Sequence, residues 1–223
     1  MLCGLDEAGR GPLAGPVCAA AVVLPEDFPT ELLGDSKLLS DGRREKARAA
    51  IVSGALAWGV GWATHLEIDR VNILQASLLA MGRAFDVLEG LAGECLSGWP
   101  ESIESELPFG KAFPGGRPAG LQAIADGNFC PELPVPCRAE AKADGRFPAV
   151  MAASILAKTA RDRLMCHYAT LYPQYGYERH KGYPTREHRK LLAEFGDSAI
   201  QRKSFGWKAC GSEGADLRLS RKG

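Results

Sequence analysis

Several familiar signatures are missing from this 223-residue chain, and each absence narrows its chemistry. No two of its seven cysteines (Cys3, Cys18, Cys95, Cys130, Cys137, Cys166 and Cys210) have Cys-x-x-Cys spacing, which argues against a zinc site. Scattered, odd-numbered cysteines fit free thiols in a reducing cytoplasm, the expected location. The longest apolar run, Val17 to Leu24, is far too short to span a bilayer. The N-terminus has no basic segment leading into an apolar stretch, so no secretory signal is expected. There is no Walker A sequence and no internal repeat. Net charge is also missing, since 27 Lys and Arg balance 27 Asp and Glu. That balance conceals an asymmetry. From Asp144 onward 15 basic residues face 8 acidic ones, whereas the preceding stretch holds 12 against 19. A basic second half suits a polyanionic partner.

The patterning that is present reads as α/β. Leu2 to Glu7 and Val17 to Leu24 are expected strands, the second closed by Pro25. Ser40 is placed to cap a helix over about 42–53, and Leu56 to Ala63 reads as a third strand. Thr64-x-x-Glu67 fits a capping box for a short helix, after which Asn72 leads a longer one. Gly, Pro, Ser and Glu dominate from about 90 to 120, which reads as a long surface insertion. Leu121–Ala125 and Val135–Ala143 are further strands, and Pro148 to about Leu171 is a long helix. Tyr172–Pro184 reads as an aromatic-rich loop and Thr185–Phe195 as a helix stopped by Gly196. Strands that cluster early and mid-chain, with helices after each cluster, predict a mixed sheet with helices on both faces.

Three acid-bearing points share one context, the place where an expected strand gives way to a loop. They are Asp6-Glu7, Asp126-Gly127 and Asp144-Gly145. If those strands are neighbours, four carboxylates converge at one sheet edge, where open α/β sheets place their sites. Clustered carboxylates repel one another unless a cation sits among them, and hard oxygen ligands suit Mg²⁺ or Mn²⁺. Two such ions serve in-line attack of water on a phosphodiester. Asp-Gly is also a common turn dipeptide, but paired acids within an apolar strand have no turn role. Adjacent strand residues point to opposite faces, so Asp6 and Glu7 share a site only if the strand ends or kinks there. Gly9 and Gly11 permit such a kink.

Two rival readings are weaker. Gly9-Arg10-Gly11-Pro12-Leu13-Ala14 matches a relaxed dinucleotide fingerprint, but that motif must open a helix, and Gly15-Pro16 leads instead into a β-branched run. His180, Lys181 and His188 are types able to do acid–base chemistry on a ribose hydroxyl, yet they leave the four acids unexplained.

The motifs together resemble the bacterial ribonuclease HII family, the type 2 ribonucleases H. The match runs over residues 6–17 (Asp-Glu-Ala-Gly-Arg-Gly-Pro-Leu-Ala-Gly-Pro-Val), Asp35-Ser36-Lys37, residues 68–76 from Ile68-Asp69-Arg70 to Ala76, and Asp126-Gly127-Asn128. It continues over residues 152–158, Arg161-Asp162, residues 180–185 (His-Lys-Gly-Tyr-Pro-Thr) with His188, and residues 202–206 (Arg-Lys-Ser-Phe-Gly). The resemblance implies a ribonuclease H-like catalytic domain over 1–208, with a central mixed five-stranded sheet flanked by helices. It also implies a mostly helical part over 145–208 and a flexible tail over 209–223. The implied activity is endonucleolytic cleavage of RNA in RNA–DNA hybrids and nicking at ribonucleotides embedded in duplex DNA, by two divalent ions, leaving 3′-OH and 5′-phosphate ends. Catalytically inactive hybrid binding is the alternative.

The resemblance puts the metal ligands and catalytic acids on Asp6, Glu7, Asp126 and Asp144. It makes Gly9, Arg10 and Gly11 the sensor of the ribose 2′-OH at an RNA–DNA junction, and Tyr183 the ring that stacks on the adjacent deoxyribose. Lys37, Lys158, Lys181 and Arg186 are candidates for phosphate contacts without sequence information. The chain departs from the family in having Lys142-Ala143-Asp144 where glycine usually precedes the last acid. That change matters only if the backbone there needs positive φ. The 90–120 insertion is longer than is typical. The type HIII sister enzymes carry an extra N-terminal domain and a lysine at the place of Arg10; neither is present here. A monomer is expected, and the tail offers no pattern for binding a sliding clamp.

Overall fold

The fold was described from a computed structural model, over residues 1–34, 36, 39–91 and 110–206. Its six strands are β1 (Leu2–Ala8), β2 (Val17–Val23), β3 (Ala57–Ala63), β4 (Gly110–Lys111), β5 (Gln122–Asp126) and β6 (Cys137–Glu140). They form one mixed sheet in the order β4-β3-β2-β1-β5-β6. β1 to β4 pair antiparallel in sequence order, while β5 and β6 join β1 on its other side in parallel. The expected five strands are thus six, the addition being the two-residue edge strand β4. It lies within the stretch read as a surface insertion and pairs Gly110 with Gly59 of β3. Of that insertion, residues 92–109 lie outside the described residues, as does the expected tail.

Helices cover both faces. α1 (Asp41–Gly54) and α3 (Pro148–Leu171) pack on the face bearing Cys18, Ala20, Val22, Trp58, Val60 and Trp62. α2 (His65–Leu88) packs on the face bearing Ala19, Ala21, Val23, Ala57 and Ala63. All seven β2 residues are buried, as its unbroken apolar run requires of a strand covered on both faces. The capping box at Thr64 and Glu67 is present. Asn72 then interrupts α2 with φ 68°, and its Oδ1 accepts from the N–H groups of Leu74 and Gln75, capping the second half. One nominal helix is therefore the short-then-long pair expected from sequence. It is apolar and long enough to cross a bilayer, but here it lies along the sheet.

That close packing depends on two glycines. A Cβ at Gly59 would sit 2.2 Å from the Ala84 carbonyl, and one at Gly61 2.3 Å from the Ala80 carbonyl. Both clashes are with α2 backbone, which cannot rotate away.

The strand expected over 135–143 is shorter, Cys137–Glu140. Lys142 adopts a left-handed conformation (φ 61°) that ends it, and a 3₁₀ turn over Ala143–Gly145 follows. Positive φ falls on Lys142 rather than Ala143, so alanine is accommodated there. The loop expected over 172–184 contains a 3₁₀ turn (Pro173–Tyr175) and a four-residue helix, α4 (Tyr177–His180). It leads to α5 (Arg186–Phe195), capped by the Thr185 hydroxyl.

His180 and His188 stack within this C-terminal part, ring centroids 4.3 Å apart, with Tyr177 edge-on to both. Their nitrogens meet backbone groups: His180 Nε2 lies 2.8 Å from the Tyr175 carbonyl, and His188 Nδ1 3.0 Å from that of Tyr183. Burial pushes the pKa of both down, that of His188 to about 4. The folded protein therefore resists protonation that the unfolded chain accepts below about pH 6.5.

Two predictions arise from this packing. Gly61→Ala is expected to lower unfolding free energy by about 3 kcal/mol, read as an earlier urea midpoint. Stability is expected to fall as pH drops from about 6.5 to 4, by roughly 3 kcal/mol at pH 4 from His188. His188→Gln should be less stable at pH 7 but show a shallower fall, measured by urea titration at each pH.

Candidate active site

Parallel pairing of β1 with β5 sets the site. Leu5 lies opposite Ala125, so Asp6 and Asp126, the next residue on each strand, stand level at the carboxyl end of β5, with β1 continuing to Ala8. Asp144 arrives from the 3₁₀ turn, whose Ala143 N–H donates to Asp126 Oδ1 at 2.7 Å. One carboxylate oxygen from each of Asp6, Asp126 and Asp144 lies within 4.8 Å of the others. Of the four acids singled out in the sequence, these three converge.

Glu7 does not join that group. β1 stays paired with β2 through Ala8, with Asp6 opposite Ala20 and Glu7 opposite Ala19, so the expected kink is not there. Glu7 Oε1 instead lies 3.3 Å from the Arg10 guanidinium. Its charge still acts on Asp6.

Asp6 is only 5% exposed. Burial, then the charges of Glu7 and Asp126, raise its pKa well above the usual carboxylate range. Two bonds oppose that rise: the Ser154 hydroxyl of α3 and the Glu7 N–H, the latter at 2.7 Å from Oδ1. Ser154 Oγ in turn lies 2.8 Å from Ser36 Oγ. Ser36 and Ser154 were inside the recognised motifs but were not singled out, because serine has no distinctive spacing and its partner is 118 residues away. Three oxygen ligands at mutual distances this short, one of them buried, fit a hard divalent cation. A cation there would reverse the repulsion that lifts Asp6.

A groove of about 1490 Å³ runs from Glu7 and the Gly9-Arg10-Gly11 turn along α3 to Lys181 and Tyr183; it reaches Asp6 through Glu7 and Ser154, while Asp6, Asp126 and Asp144 are not among its lining residues. Arg10 and Gly11 are exposed. Gly9 has φ 99°, and a Cβ on it would meet Arg161 Nε at 2.0 Å. A Cβ on Gly11 would come 3.7 Å from the Tyr183 ring, which is 38% exposed. The turn and Tyr183 therefore form one surface. Lys158 lines the groove but is held by Asp162 at 2.6 Å, and Lys181 Nζ donates to the Glu178 carbonyl at 2.5 Å. Arg186 is exposed at the start of α5 and is not among the residues lining the groove. Lys37 lies outside the described residues.

The histidine reading fails on geometry. His180 and His188 are 7% and 0% exposed, committed to backbone groups and to each other.

Comparisons with known proteins show the family. The family model described as Ribonuclease HII matches residues 3–92 and 126–208. A curated ribonuclease HII of Treponema denticola is 47% identical over 209 residues, covering 92% of this chain and 98% of that one. One of Dechloromonas aromatica is 45% identical over 206 residues, covering 92% and 91%. Among solved structures, the ribonuclease H2 of Pyrococcus horikoshii superimposes with a TM-score of 0.62 at 24% identity, over 92% of this chain and 93% of that one. The structure of the PCNA complex of RNase HII from Archaeoglobus fulgidus gives 0.64 at 22%, over 93% and 96%. At those identities the likeness is one of fold. With sequence identity near one half along almost its whole length, the chain belongs to the ribonuclease HII family and is a divalent-metal-dependent ribonuclease H.

Proposed function

We propose that this enzyme cuts RNA in RNA–DNA hybrids and nicks duplex DNA at embedded ribonucleotides, leaving 3′-OH and 5′-phosphate ends. The observation behind this reading is the convergence of Asp6, Asp126 and Asp144, joined through Glu7 and Ser154 to a groove bordered by an exposed Gly-Arg-Gly turn. Asp6, Asp126 and Asp144 would hold the divalent ions, with Glu7 a fourth carboxylate at the rim. Mg²⁺ and Mn²⁺ both suit this all-oxygen set, and two ions are expected with substrate bound. When bound, such ions lower the pKa of the attacking water and stabilise charge on the departing 3′ oxygen.

The chain's own residues do the rest. The Ser36–Ser154 pair and the Glu7 N–H hold the Asp6 carboxylate in one orientation. The Ala143 N–H does the same for Asp126. Gly9, Arg10 and Gly11 are placed to read the ribose 2′-OH, the group that separates RNA from DNA, in a way that tolerates any base. Tyr183 offers a ring beside them for the neighbouring sugar. Lys158 and Lys181 support the phosphate backbone, and affinity should fall as salt rises.

Asp126→Asn is expected to lower kcat on the order of 10³-fold while leaving affinity for a ribonucleotide-containing duplex within a few-fold. Cleavage of that duplex with Mg²⁺ or Mn²⁺ should vanish in excess EDTA; nicking undiminished by EDTA would refute the reading. Arg10→Ala is expected to reduce the preference for the RNA–DNA junction by about tenfold, the size of one charge-assisted hydrogen bond. Gel analysis of cleavage positions checks this, and an unchanged preference would remove Arg10 from the sensor.

A further inference from the structure

The Gly-Arg-Gly turn is not held by its own hydrogen bonds. The buried guanidinium of Arg202 holds it directly, and that of Arg161 holds the segment that follows it. Arg202 is 0% exposed and donates to four carbonyls: Gly9 at 2.6 Å, Gly15 at 2.8 Å, Arg10 at 3.0 Å and Pro16 at 3.1 Å. Arg161, on α3 and 1% exposed, donates to Pro16 and to Lys181 at 3.0 Å and to Ala14 at 3.2 Å. The Lys181 carbonyl belongs to the segment that presents Tyr183, over whose ring Arg161 also lies at 5.9 Å. That segment is tied to the turn's continuation a second time, by the Leu13 N–H donating to the Gly182 carbonyl at 2.8 Å.

Burying two cations side by side is unfavourable, and each is met by a fan of carbonyl dipoles rather than by a carboxylate ion pair. Only a planar fork reaches several carbonyls at fixed angles, which an ammonium cannot do. Arg202 is anchored from outside by Asp69 of α2, which accepts from the N–H groups of Lys203 at 2.9 Å and Ser204 at 2.8 Å.

We propose that Arg202 and Arg161 are positioning residues for ribonucleotide recognition: by holding carbonyls of residues 9–16 and of Lys181, they set the distance and tilt between the Gly-Arg-Gly turn and Tyr183. The inference rests on the reading of that turn as the 2′-OH sensor. The carboxylate group stands on β1, β5 and the 143–145 turn, so the clamp governs where the strand is cut rather than whether it is cut.

The test uses a duplex in which one strand contains a short run of ribonucleotides flanked by DNA, and reads the ratio of junction to internal cuts. Arg202→Lys and Arg161→Lys keep the charge and lose the fork. In each, the ratio is expected to fall at least about tenfold. A purely structural role lowers the active fraction and leaves the ratio unchanged, because inactive molecules contribute no product; a wild-type ratio in either variant, at whatever total rate, overturns the proposal. If the lysine variants do not fold, Arg202→Ala with added methylguanidinium replaces them. Recovery of the junction ratio then supports the clamp, and recovery of rate alone overturns it. Wild-type enzyme and Arg10→Ala are run alongside. A wild type without junction preference, or an Arg10→Ala that retains it, overturns the sensor reading and the clamp with it. Preference lost in Arg10→Ala but kept in Arg202→Lys overturns the clamp alone.

Discussion

A carboxylate buried on the central strand of the sheet is the constraint from which the active site follows. Asp6 has β2 on one side, β5 on the other and α3 over its face, and is almost inaccessible to water. An ionised group there is tolerable only with hydrogen bonds and an opposite charge. The protein supplies the Ser154 hydroxyl and the Glu7 N–H, then places two more acids against it. Those acids worsen the electrostatics of the metal-free chain, and this is the property that makes the site selective for a divalent ion over a hydrogen-bonding ligand.

Buried positive charge is handled differently a few residues away. Arg161 and Arg202 have neutral carbonyls around them, and burial pushes the Arg202 pKa down to about 9, still high enough to leave it charged at neutral pH. Carbonyls are weaker acceptors than carboxylates but can be arranged at fixed angles around a planar fork. Anions grouped together leave room for a cation; cations ringed by backbone close the space entirely. One arrangement accepts a ligand and the other makes a rigid surface for one.

Much of this was legible in the sequence, for identifiable reasons. Period-2 and apolar runs marked β1, β2 and β3 to within a residue or two, and capping chemistry at Thr64 and Asn72 marked the break in α2. Acids at strand ends located Asp6, Asp126 and Asp144. What escaped depends on contacts between distant parts of the chain. Strand β4 is two residues long and has no periodicity to detect. Arg161 and Arg202 lie inside motifs that carry the resemblance but were assigned no role, because nothing local distinguishes a buried guanidinium from a solvated one; their carbonyl partners lie 145 and 193 residues away. Glu7 was grouped with Asp6 because they are adjacent; it stands outside the tight three-acid cluster, while its charge still raises the Asp6 carboxyl.

The separation of Asp6 from Glu7 bears on how one segment serves both chemistry and selection. An unbroken β1 delivers Asp6 inward to the acids and leaves Glu7 toward Arg10 at the groove. The chain then turns at Gly9, where no side chain would fit beneath Arg161. Had β1 kinked at Glu7 to bring all four acids together, the turn would begin earlier and Arg202 would lose the Gly9 and Arg10 carbonyls it holds. Regular pairing of β1 therefore carries the chain to the Gly9 turn that Arg202 holds, and it places a carboxylate and an arginine at the groove's edge. There Arg10 has its charge partly offset by Glu7 at 3.3 Å, which makes it a weaker attractor of phosphate than an unpaired guanidinium.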